Sequence, residues 1–204
     1  MQMATYLDLT PPIYSPWGAT QTATEELPGI WHVTTASHGG YILDHARNER
    51  IPEAARNPEG AYEEDICWSI PACVFADEFT AAKPDYPLDQ AKATLHDWMP
   101  EEYEAIFAVP ANPETSYALK RRAAYAAATG KRVIIAALGG PNRDIPEGFV
   151  GVWTKTVTGL HTGGNPIYAN DERRALIPAD QYPRISASPI VLDTLPWQPM
   201  PINA

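Results

Sequence analysis

The chain has 204 residues, with 21 Pro, 13 Gly, two Cys, and 15 Lys and Arg against 25 Asp and Glu, a formal net charge of −10. No run reaches the roughly 18 apolar residues of a membrane span, and two cysteines cannot build a disulfide scaffold. Hydrophobic residues at 45% are enough for a packed core, which argues against wholesale disorder. The opening MQMATYLDLTPP lacks the basic and apolar regions of a signal peptide, so a cytoplasmic protein with one domain over 1–204 is expected.

Proline removes a backbone donor and breaks helix interiors, so long elements must fit the Pro-free windows. PPIYSPW at 11–17 and LPWQPMPINA at 195–204 therefore read as parts of extended Pro-rich tails, 1–17 and 195–204, which Trp17 and Trp197 pin to the body. IWHVTTA at 30–36 is alternating and β-branched and predicts a strand. Gly39-Gly40 predicts a tight turn, with a return strand over 41–44. Residues 45–62 read as polar and irregular.

Trp68, Ala72 and Phe75 recur at helical spacing, and Pro71 suits the first turn of a helix starting near Ser69. Leu88, Ala91, Leu95, Trp98 and Met99 form an amphipathic stripe over 88–99 that Pro100 ends, and EEYEAIFA adds a turn or two. Asn112 as N-cap, Pro113 and Glu114 predict a helix over 113–129, with Gly130 as its stop. KRVIIAAL (131–138) predicts a buried strand and FVGVWTKTV (149–157) another. Strands, then helices, then strands give an α+β fold: a mostly antiparallel sheet from N- and C-terminal hairpins, with the helical middle, about 65–129, packed on one face. A faint echo relates His38-Gly39-Gly40 to His161-Thr162-Gly163-Gly164; if it reflects duplication, the two hairpins share one sheet.

The charge is uneven. Residues 53–104 hold 13 acids against Arg56, Lys83 and Lys92, an excess equal to the net charge of the whole chain. Such a field repels phosphates, so direct nucleic-acid binding is not expected. The best basic patch, Lys120, Arg121, Arg122, Lys131 and Arg132, reads as a solvated helix face.

The densest polar set is Ser37-His38 with Tyr62-Glu63-Glu64-Asp65 and Cys67. A carboxylate beside His38 would orient it and raise its basicity, and adjacent acids buried together raise one another's pKa, as general acid–base work requires. The same acids also suit the positive end of the following helix. A metal reading would join His38 and Glu63 or Asp65 to His45 or His161. No pair has a dedicated spacing such as H-E-x-x-H, so no metal site and no cofactor is expected. Cys67 and Cys73 are spaced C-x5-C, which is neither a zinc nor a redox pair. A Cys67 nucleophile with His38 as base competes with plain core packing. Gly139-Gly140 follows a strand but leads into Pro141, so no phosphate cradle is read there.

Ala36-Ser37-His38-Gly39-Gly40-Tyr41 and Tyr62-Glu63-Glu64-Asp65, followed by Trp68 and Phe75, resemble an uncharacterised domain family found on plasmids and phages of alphaproteobacteria. Ala136-Ala137 with Gly139, Gly148 to Val152, and Leu176 to Ala179 with Tyr182 are similar to its second half. The resemblance spans roughly 14–193 and implies a mobile genetic element in a bacterial cytoplasm, without an activity.

Two functions follow as expectations. The first is a non-catalytic accessory protein whose acidic surface, Glu63, Glu64, Asp65, Asp97, Glu101, Glu102 and Glu104, binds a basic host or defence protein. The second is a small hydrolase or transferase with His38 and Glu63 or Asp65 as catalytic residues.

Overall fold

Pro16 and Trp17 make a tight turn. Tyr14–Ser15 (β1) pairs antiparallel with Gly18–Ala19 (β2), and the Ser15 hydroxyl donates to the Gly18 carbonyl at 3.1 Å and accepts from the Trp17 amide at 3.2 Å. The computed structural model describes residues 11–138, 145–183 and 188–200, in two compact units, Met1–Asn112 and Pro113–Ala204. Residues 1–10 and 201–204 of the expected tails, and the Gly139-Gly140 turn, lie outside the described residues.

In the first unit, Thr22–Leu27 (β3), Ile30–Thr34 (β4) and Gly39–Leu43 (β5) form an antiparallel meander. The expected return strand is present, but the Gly-Gly pair does not make the turn. Gly39 and Gly40 lie inside β5, opposite Thr34 and Val33. The turn is closed by Thr35, whose hydroxyl donates to the His38 carbonyl at 2.8 Å and accepts from the His38 amide at 3.2 Å. A threonine hydroxyl does here what glycine freedom was expected to do.

The stretch expected to be irregular is structured. Asp44 caps His45–Glu49 (α1) by accepting from the Arg47 amide at 2.7 Å. A short 3-10 turn, Glu53–Ala55, leads to Ala61–Glu63 (β6), which pairs with β5 and completes the order β3-β4-β5-β6. Four helices follow: Ser69–Val74 (α2), Ala76–Ala82 (α3), Leu88–Trp98 (α4) and Pro100–Phe107 (α5). The helix expected from Ser69 breaks at Phe75, where φ is −106° and ψ 27°. Ala108 closes α5 with φ 56°, a left-handed cap on a residue other than glycine.

Both faces of this sheet are covered. Ile30, Tyr41 and Leu43 point to the helices and pack with Ile70, Phe75, Phe79 and Leu95. Val33, Ile42 and Ala61 point the other way, against Trp17, Ala23 and Trp31. Trp17, half-buried, thus packs the N-terminal hairpin onto the sheet.

In the second unit, Tyr117–Ala127 (α6) starts at Ser116, not Asn112: the Ser116 hydroxyl accepts from the Leu119 amide, and residues 113–115 form a turn. Arg132–Ala137 (β7), Phe149–Leu160 (β8), Arg173–Pro178 (β10) and Gln198–Pro199 (β11) give the antiparallel order β11-β10-β8-β7, and Pro166–Tyr168 (β9) pairs with the end of β8. Of β7, expected to be a buried strand, Val133 alone is fully buried. The α+β class with antiparallel pairing holds, but the N- and C-terminal hairpins belong to separate sheets. Gly163-Gly164 does sit in a turn, with Gly164 at φ 81° and its amide donating to the His161 carbonyl at 2.8 Å, so the two Gly-Gly pairs have different roles. Among the described residues no helix is long and apolar enough to cross a membrane.

Candidate functional site

The site forms where β5 meets the end of β6. The Glu64 amide donates to the Gly39 carbonyl at 3.0 Å, holding the carboxylates that follow β6 against the start of β5. Gly40, at φ 149°, is required by close approach: a Cβ there would collide with the Tyr62 carbonyl oxygen and stand 2.7 Å from the Trp17 ring. The glycines therefore let two acidic residues and a histidine converge, rather than turn the chain.

His38 Nδ1 lies 3.7 Å from Glu63 Oε1, with side chains 54% and 26% exposed. That separation is an ion-pair distance, beyond hydrogen-bond reach. Glu63 Oε1 is buried and accepts no hydrogen bond, while its other oxygen accepts the Asp65 amide at 2.8 Å. One ligand atom each from His38, Glu63 and Glu64 lies within 4.8 Å of the others. Asp65 contributes its backbone to this arrangement and its carboxylate does not join the trio. The sequence-level set of His38, Glu63 and Asp65 thus becomes His38, Glu63 and Glu64.

The other candidates sit elsewhere. His45 pairs with Glu49 on α1 at 3.1 Å, and His161 closes the β8–β9 turn. Burial first, then the Glu63 charge, pushes the Cys67 thiol up, and burial pushes Cys73 up to about 11. Neither holds an appreciable thiolate at neutral pH, so Cys67 is not poised as a nucleophile. Sequence reasoning passed over His32: alternation along β4 sets it beside Tyr41, ring centroids 5.6 Å apart. His32, Gly40, Tyr41, Glu64 and Trp68 line a recess of about 160 Å³. The strand alternation of 30–36 was the signal that paired positions 32 and 41 on one face.

Glu64 and Asp65 are exposed, as are Glu101 and Glu104 of α5, while Asp97 and Glu102 are half-buried. Glu63 and Glu102 both act on the Cys67 thiol, so the acidic end of β6 and the acidic first turn of α5 flank one residue. The three cations of 53–104 are engaged away from that stretch's acids. Arg56 donates to the carbonyls of Glu49 and Ile51, Lys83 pairs with Glu26, and Lys92 lies 5.0 Å above the Phe107 ring. Within the stretch Glu78 is neutralised, by Arg47 at 2.6 Å and Arg50 at 2.9 Å. In the basic patch, Arg132 is held by Asp171 and Arg121 lies over the Tyr125 ring.

Residues 10–129 match the model of a domain of unknown function, DUF7007. The chain belongs to this family. The match covers the His38 and Glu63–Glu64 segments and ends before the resemblances drawn at 136–182. No curated protein and no solved structure matches the chain.

Proposed function

We propose that this DUF7007 protein is a non-catalytic accessory protein of a mobile genetic element, a plasmid or phage, that binds a basic host or defence protein through its acidic surface in a counter-defence role. The observation carrying this reading is that Arg56, Lys83 and Lys92, the cations within 53–104, are engaged elsewhere than with that stretch's carboxylates, while Glu64, Asp65 and Glu104 are exposed. Ordered carboxylates on a surface compete with phosphates for the Lys and Arg of a nucleic-acid-binding partner, steer its approach, and repel nucleic acid itself. The mobile-element setting rests on the sequence resemblance of the His38 and Tyr62–Asp65 motifs.

The test is affinity capture from a bacterial host at low and moderate salt, followed by titration of the purified pair. Binding should weaken steeply between the two salt concentrations, and the triple change Glu63→Lys, Glu64→Lys, Asp65→Lys should weaken it by about tenfold or more. An affinity indifferent to both changes overturns the reading.

A second reading, a small hydrolase or transferase using His38 with Glu63, is favoured by one observation, the approach of Nδ1 to a buried carboxylate oxygen at 3.7 Å. Full cellular function of a folded His38→Ala protein would eliminate it.

A further inference from the structure

We propose that His38, Glu63 and Glu64 bind one divalent transition-metal ion, of which zinc fits the donor set best. One imidazole and two carboxylates converge within 4.8 Å, and the His38–Glu63 separation of 3.7 Å is close to the spacing of two ligands on one ion. Metal–ligand bonds of about 2.0–2.2 Å in a tetrahedral site set neighbouring ligand atoms about 3.3–3.5 Å apart. Small side-chain rotations close the difference.

A second, independent observation points to a cation. Glu63 Oε1 is buried without a hydrogen-bond donor, and the nearest candidate, His38, stands too far away to supply one. A buried carboxylate oxygen normally finds a partner, because desolvating it without one is costly. An ion between the three groups would be that partner. Glu63 is already oriented by the Asp65 amide on its other oxygen, and the Glu64 backbone is fixed to Gly39, so one ligand carboxylate and the chain position of a second are set before an ion arrives. Imidazole is a poor ligand for calcium and magnesium, which narrows the class to first-row metals of the zinc kind.

This inference shares Glu63 and Glu64 with the acidic-surface reading, but its test needs no partner protein and stands or falls without one. The full-length, metal-stripped protein is titrated calorimetrically with zinc chloride alone, then with calcium chloride. The expected result is one equivalent of zinc in the micromolar range and no comparable calcium binding. His38→Ala and Glu64→Gln each alter an exposed side chain, so the fold should survive, as circular dichroism would verify. Each should weaken zinc binding about tenfold or more, since even residues that merely support a ligand cost that much. His45→Ala and Cys67→Ser should leave it unchanged, which separates this site from the His45–Glu49 pair and from thiol binding. Zinc binding no tighter than millimolar, or equally tight in His38→Ala and Glu64→Gln, overturns the proposal.

Discussion

The carboxylate of Glu64 fills the space beside Gly39, where a Cβ would stand 2.6 Å from Glu64 Oε2 and 2.8 Å from the Val33 carbonyl oxygen. Gly39→Ala should therefore displace Glu64 and strain the β4–β5 pair, costing about 1–3 kcal/mol. Gly40→Ala should cost more, because positive φ adds to a collision with the Tyr62 backbone. Urea unfolding of the two variants measures both, and equal stability of Gly40→Ala and the parent would contradict the close approach.

Tyr62 anchors the segment between α1 and β6. Its hydroxyl donates to Asn48 Oδ1 at 2.7 Å and accepts from the Asn57 amide at 3.1 Å, and burial pushes its pKa up to about 12. Tyr62→Phe leaves both partners without it, so a loss of about 1–3 kcal/mol is expected in chemical denaturation.

The cysteines should react slowly. With the Cys73 thiol near 11 rather than 9.0, alkylation at pH 8 should run about 100-fold slower than for a free thiol. Cys67 should also be slow, through burial and the Glu63 charge. Timed mass spectrometry after iodoacetamide gives both rates, and rapid labelling of Cys67 would reopen its candidacy as a nucleophile.

Asp171 accepts from the Thr156 hydroxyl at 2.7 Å and the Thr156 amide at 3.1 Å, with Arg132 beside it, and these donors hold its carboxyl below the usual value. A folded pKa below the unfolded one stabilises the protein fully above about pH 4, and the contribution is lost as pH falls through the folded value. Asp171→Asn should thus lower the melting temperature at neutral pH, with the gap to the parent closing below pH 4 in a pH series of thermal melts.

Removing the cap of α6 should show which residue starts it. Ser116→Ala should cost about 1 kcal/mol, whereas Asn112→Ala should not unwind the first turn of this helix. Helical content and unfolding midpoints of the two variants decide between the positions.

Local chemistry was legible in the chain. Period-two alternation over 30–36, the apolar stripe of 88–99 with Pro100 after it, and the β-branched run of 149–157 each found their element, because a side-chain period of two or of 3.6 follows from backbone geometry. The proximity of His38 to Glu63 was legible as well, as a cluster rather than as a geometry. α1, the 3-10 turn and β6 were not, because three-residue strands and one-turn helices carry too few positions to display a period, and their stability comes from neighbours such as Tyr62 and Asn48.

The order of predicted elements and the placement of charge determined that this is an acidic α+β chain whose negative excess lies in one quarter of its length. Tertiary structure decided what Gly39 and Gly40 are for, that Glu64 rather than Asp65 joins His38 and Glu63, and that the two hairpins belong to different sheets. The reason is physical: a glycine reads as a turn from its own freedom, but which atoms need the room its missing side chain leaves depends on residues far away in sequence, here Trp17, Tyr62 and Glu64.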